Sequence, residues 1–92
     1  MTEANSRRME LVGRRVAERD EDGRLVFDAA LVAPLLGLAP GAFMDELRRG
    51  MIYQVHERGM GEDSGRTRVT FRHRARHFVV ILDALGRALY VA

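Results

Sequence analysis

Residues 66–82, RTRVTFRHRARHFVVIL, limit the fold more than any other stretch. Val69 and Phe71 alternate with Arg68, Thr70 and Arg72, and Phe78, Val80 and Leu82 alternate with His77, Val79 and Ile81. Period two is the mark of a strand with two distinct faces. A two-residue turn at Arg74-Ala75 opposes Phe71 to Phe78, Val69 to Val80 and Thr67 to Leu82. That register puts apolar against apolar, as cross-strand packing requires, whereas a one-residue slip opposes Phe71 to His77 or Val79. Neither Arg74 nor Ala75 favours the positive φ of a tight hairpin turn, which leaves a longer loop as the alternative.

Two further strands extend this hairpin into an antiparallel meander. Asp83-Ala84-Leu85-Gly86-Arg87 suits a type I turn with Gly86 left-handed. It sets Asp83 opposite Arg87 and Ile81 opposite Leu89, with Val80 near Tyr90. On the other side, Met51, Tyr53 and Val55 alternate with Gln54 and His56, and the connection Gly59–Gly65 pairs Tyr53 with Phe71 and Val55 with Val69. One face then carries Tyr53, Val55, Val69, Phe71, Phe78, Val80, Leu82 and Tyr90, and needs a cover. The other combines Ile52, Val79, Ile81, Leu89 and Val91 with Arg66, Arg68, Arg72 and Arg74. An exposed apolar patch of that kind is a candidate contact surface.

The cover comes from the N-terminal half. Residues 1–8 read as a flexible polar tail and 9–92 as a single domain. Met9 to Arg19 is open between helix and strand. Met9, Val12 and Val16 form a helical stripe interrupted by Gly13. The turn signal Asp20-Glu21-Asp22-Gly23 favours a hairpin from Val12–Arg19 to Leu25–Phe27. Asp28 is placed to cap a helix bearing Leu31, Val32, Leu35 and Leu36, kinked by Pro34 and closed by Gly37. Pro40 suits the first turn of a second helix, with Phe43, Met44 and Leu47 inward and Gly50 at its end. The expected architecture is α+β: an N-terminal β-hairpin, two short helices packed on one face, and the antiparallel β-meander, in the order ββααββββ.

The stretches FDAALVAPLLGLAPGAFMDELRRG and ERGMGEDSGRTRVTFRHRARHFVVILD resemble a family of short, uncharacterised bacterial proteins. That family carries a DAALLA-x-LGL helix, a GEDxGRxRLTF hairpin and a following RR-x-LxxVVD strand. The likeness runs from Phe27 to Asp83, with the segment before Val12 outside it. It supports the fold and implies no activity.

Composition narrows the function classes. The chain has no cysteine, so disulfides and thiolate metal sites are excluded. No apolar run reaches the ~20 residues of a membrane span, and the start has no signal-peptide core, so a cytoplasmic bacterial protein without membrane contact is expected. Residues 1–47 hold six arginines and nine acids, and residues 48–92 hold nine arginines and four acids. The basic meander and the acidic cover can attract each other within the fold, or the meander can meet an anion.

The candidate binding loop and sheet face comprise Glu57, Arg58, Glu62, Asp63, Arg66, Arg68 and Arg72, around three glycines, Gly59, Gly61 and Gly65, that allow positive φ. The acid spacing is not that of an EF-hand loop. His73 and His77 fall on opposite faces of the hairpin, which argues against a shared metal. No cofactor fingerprint and no nucleophile–histidine–carboxylate set is visible, so an enzyme is disfavoured. An enzymatic reading needs a pocket of Tyr53, Glu57 and Arg68, with Glu57 on the apolar side. The expected function is a non-enzymatic binding or regulatory module, with an unknown ligand, that forms a homodimer through its sheet. Ile52, Val79, Ile81, Leu89 and Val91 are the candidate dimer face. The alternative is a winged-helix-like nucleic-acid binder, against which Asp45 and Glu46 stand on the reading helix.

Overall fold

The computed structural model describes residues 3–92, with side chains from Ser6 onward. Its architecture is α+β, with an antiparallel meander whose covering elements all lie on one face. In chain order these are α1 (Glu3–Leu11), β1 (Ala17–Arg19), β2 (Leu25–Phe27), α2 (Ala29–Val32), a 3-10 turn (Ala33–Leu36) and α3 (Pro40–Arg48), then β3 (Tyr53–Arg58), β4 (Thr67–His73), β5 (Arg76–Leu82) and β6 (Ala88–Val91). The strands form a two-stranded sheet, β1-β2, and a four-stranded sheet, β3-β4-β5-β6.

The central hairpin has the register that its apolar alternation requires. Phe71 opposes Phe78, Val69 opposes Val80 and Thr67 opposes Leu82. The tight turn at Arg74-Ala75 forms because Arg74 itself enters the left-handed region, at φ 57°. The closing turn also forms: Asp83 N–H donates to the Arg87 carbonyl, and Gly86 sits at φ 81°.

The outer strands depart from expectation. β3 is shifted by one residue, so Gln54 opposes Phe71 and His56 opposes Val69, while Tyr53 opposes Arg72 and Val55 opposes Thr70. Tyr53, Val55 and Glu57 therefore lie on the open face, not the covered one. The shift is set by the loop, where a 3-10 turn at Gly61–Asp63 lets Gly59 N–H reach the Arg66 carbonyl. β6 is bulged: Val80 opposes Val91 and Ile81 opposes Tyr90, but Leu82 opposes Ala88, leaving Leu89 as the extra residue. Val91 thus turns to the core and Tyr90 to the open face, the reverse of the expected assignment.

The N-terminal segment also differs. A helix occupies Glu3–Leu11 where a polar tail was expected, and the first strand is only Ala17–Arg19. Leu11 and Val16 are buried. Between them the chain binds the outer side of β6: Gly13 N–H donates to Ala88 O, Ala88 N–H to Arg14 O, and Val16 N–H to Gly86 O.

The helical cover forms for local reasons. Asp28 Oδ1 accepts the Ala30 amide at 3.0 Å, satisfying a donor that the first turn leaves orphaned. Pro34 cannot continue the α-ladder, so the chain tightens into the 3-10 turn and ends at Gly37, φ 71°. Pro40 starts α3, and the two helical segments meet at 83°. No single helix among the described residues is long and apolar enough to cross a membrane.

The core lies between this cover and the sheet. Phe43, Phe71, Phe78, Val69, Ala33 and Ala88 are fully buried, with Val32, Val80 and Leu82 nearly so. Phe71 is stacked on Phe78 and met edge-on by Phe27, with both centroid separations at 4.8 Å. Ile52 is also buried in this core, at 6% exposure, and so does not belong to an outward contact face.

Candidate functional site

Three surfaces converge on β3, and each follows from the register just described. The first is the open face of the four-stranded sheet. Phe27, Phe43 and the 3-10 turn all pack on the other side, so no described element covers this one. Side chains cross it in rows: Tyr53–Arg72–His77, Val55–Thr70–Val79 and Glu57–Arg68–Ile81–Tyr90. Val55, Thr70, Val79 and Ile81 are half-buried by their neighbours alone, and Tyr53 and Tyr90 are exposed at 61% and 52%. Of the expected dimer face, Val79 and Ile81 lie in these rows, Leu89 stands at the bulge, and Ile52 and Val91 turn inward. Tyr53, Val55 and Tyr90 take their places. Only the true register of β3 and β6 exposes them, and sequence alternation alone did not carry it.

The second surface is the outer edge of β3. The Gly59–Arg66 hydrogen bond fixes the phase of the ladder. In an antiparallel pair, inward and outward backbone groups alternate. The amides and carbonyls of Gln54, His56 and Arg58 therefore point away from β4, and β3 has no other strand beside it among the described residues. The opposite edge is different, because residues 13–16 bond to it.

The third is the loop expected to bind. The structure brings Glu57, Arg58, Asp63, Arg66 and Arg68 around one cleft of about 310 Å³, with Gly59 and Ile81. Glu62 is exposed in the 3-10 turn outside the cleft lining, and Arg72 lies two rungs away opposite Tyr53. Asp63 pairs with Arg66 at 3.4 Å. Gly61 and Gly65 take positive φ, but Gly59 does not. Its reason is close approach: a Cβ there would overlap the Asp63 carbonyl. Glu57 faces Arg68 on the open side and not the core, and Tyr53 is outside the cleft, so the pocket an enzymatic reading needs does not assemble.

The histidines separate as the alternation requires. His73 is buried beneath the cover, and His77 is exposed on the open face. His56 stands on the covered side of β3, where its Nε2–H donates to Gln54 Oε1 at 3.1 Å. Partial desolvation, and then the Arg19 guanidinium, hold its pKa below the ordinary 6.5. On α3, Asp45 pairs with Arg48 at 3.2 Å on the exposed face, reducing the positive charge that this helix can present.

A family of unknown function, DUF6522, matches residues 9–92. The match takes in Met9–Leu11, which the sequence resemblance had left outside. No curated protein and no solved structure matches the chain.

Proposed function

Because the chain belongs to DUF6522, a family of unknown function, we propose its role from geometry: a non-enzymatic binding or regulatory module that pairs with a second copy of itself through the sheet. The observation that carries this is the unpartnered edge of β3 beside an uncovered apolar face. Edge strands with free backbone groups are templates for another strand, and most proteins block them with charge, proline or a bulge. Here β3 has no proline, and the side chains flanking Val55 on the open face are Tyr53 and Glu57.

Antiparallel pairing of β3 with its copy about a twofold axis at Val55 satisfies the ladder phase. Gln54 then exchanges hydrogen bonds with His56 of the second copy, Val55 meets Val55, and the Tyr53 hydroxyl comes beside Glu57. No like charges oppose each other. The two open faces become one continuous surface, with the row of Val55, Thr70 and Val79 at its centre. Oligomeric state measured by sedimentation velocity tests the reading. The expected result is a dimer at tens of micromolar and a monomer for Gln54→Pro. That substitution removes an outward amide and leaves the β3–β4 ladder intact. A wild-type monomer at high micromolar concentration overturns the reading.

Duplex binding of the winged-helix kind is the rival, favoured by the 83° between the helical segments and by the hairpin that follows them. The Asp45–Arg48 pair on α3 weighs against it. Fluorescence anisotropy with a short duplex decides: salt-sensitive binding lost in Arg49→Glu favours this rival.

A further inference from the structure

We propose that the cleft between the β1–β2 hairpin and β3 is a binding site for the phosphate group of a small phosphorylated molecule. Arg19, Arg24, Leu25, His56, Arg58 and Thr67 line it, with Gly23 at its mouth, around a volume of about 370 Å³. That is the scale of a small-ligand pocket, ~300–1,000 Å³.

The cleft concentrates positive charge without compensating it. Three guanidiniums line it, and no carboxylate does among the described residues. Among the described residues none of Arg19, Arg24 and Arg58 is in an ion pair, although Arg15, Arg48, Arg66 and Arg87 are. Guanidinium groups pair with planar or tetrahedral oxyanions through parallel N–H donors, so an unpaired cluster of them suits phosphate better than a neutral ligand.

The arginines stand on a braced frame. Asp20 Oδ1 accepts the amides of Asp22 and Arg24, both at 2.9 Å, and Asp20 N–H donates to Arg24 O at 2.9 Å. Arg19 Nη1 donates to the Gly23 carbonyl at 2.8 Å. The hairpin is thus tied internally, while Arg58 approaches from the edge of β3. Of the acids nearest in sequence, Glu18 pairs with Arg15, Asp20 is taken up by the turn amides, Glu57 is on the open face of the sheet, and Glu21 and Asp22 are exposed in the turn outside the cleft lining. An anion here relieves the repulsion among the arginines and favours protonation of His56, which desolvation and then Arg19 oppose.

Titration of the full chain with pyrophosphate and inorganic phosphate, followed by NMR of His56 and the backbone amides, tests this. The expected result is saturable perturbation centred on residues 19–25 and 56–58, with the His56 pKa rising. Arg24→Gln and Arg58→Gln are each expected to weaken binding about tenfold. Both side chains are exposed, so both variants are expected to fold, and far-UV circular dichroism checks that they do. No saturation by ~10 mM overturns the proposal. So does perturbation centred instead on the Arg76–His77 cleft, or displacement of pyrophosphate by stoichiometric duplex DNA. The amides of residues 19–25 lie outside the proposed β3 pairing, so perturbation there reports the phosphate site alone, while sedimentation velocity reports the dimer, and the two can fail independently.

Discussion

Phe71 and Phe78 occupy directly opposed positions on β4 and β5, with ring centroids 4.8 Å apart and planes 23° from parallel. Phe27 meets Phe71 edge-on at 90°, and Phe43 packs at 6.1 Å. One ring therefore joins the sheet, the N-terminal hairpin and α3.

Removing that ring should nearly abolish the fold. Phe→Ala at a fully buried site costs ~3–5 kcal/mol, against a total of ~5–10 kcal/mol for a domain of this size. Phe71→Ala is expected to be marginally folded in urea denaturation. Val79→Ala, half-buried on the open face, is expected to lose under about 1 kcal/mol.

Arg74 sits at φ 57°, a conformation that costs an L residue roughly 1 kcal/mol. Arg74→Gly is expected to stabilise the hairpin by about 0.5–1 kcal/mol in equilibrium unfolding. Gly86→Ala should do the opposite. Its φ is 81°, and a Cβ would overlap the Ala17 carbonyl, so a loss of at least ~2 kcal/mol is expected.

Asp83 organises the β5–β6 turn. Its Oδ1 accepts the Leu85 and Arg87 amides at 2.9 Å, and its Oδ2 accepts Arg87 Nε at 3.0 Å. These bonds, the Arg87 amide first, hold its pKa below the ordinary carboxylate value. A depressed acid contributes stability above its unfolded pKa and loses it as pH falls through the folded one. Asp83→Asn should therefore melt lower than wild type at neutral pH, and the gap should close in strong acid. A gap that persists unchanged at about pH 2 assigns the effect to something other than the charge.

The central hairpin was legible because two aromatic residues and two valines admit one register. β3 was not, because its phase depends on where the Gly59–Arg66 bond forms, and sequence patterning does not encode that distance. Tyr53 and Val55 are apolar but lie outward, a placement that alternation alone assigns to the core. Ile52 was misplaced by the same shift: it shares the parity of Gln54 and His56, which the observed register carries to the covered side. α1 was missed because its residues are mostly polar and, among its described side chains, only Leu11 is buried. The basic cleft went unseen because Arg19, Arg24 and Arg58 meet only through the fold.

His56 carries the last prediction. Its pKa is lowered chiefly by desolvation and secondarily by Arg19. Above the ordinary value of 6.5 the imidazole is neutral in both folded and unfolded chains and contributes nothing to the pH dependence. Below it the unfolded chain takes the proton first, so stability falls with pH until the folded histidine titrates as well. His56→Gln should flatten that part of the stability profile. Arg19→Gln should recover only part of the lowered pKa, because desolvation remains. Full recovery, read from the His56 imidazole protons across a pH titration, would reverse the ranking of the two causes and make Arg19 the dominant influence on this side chain.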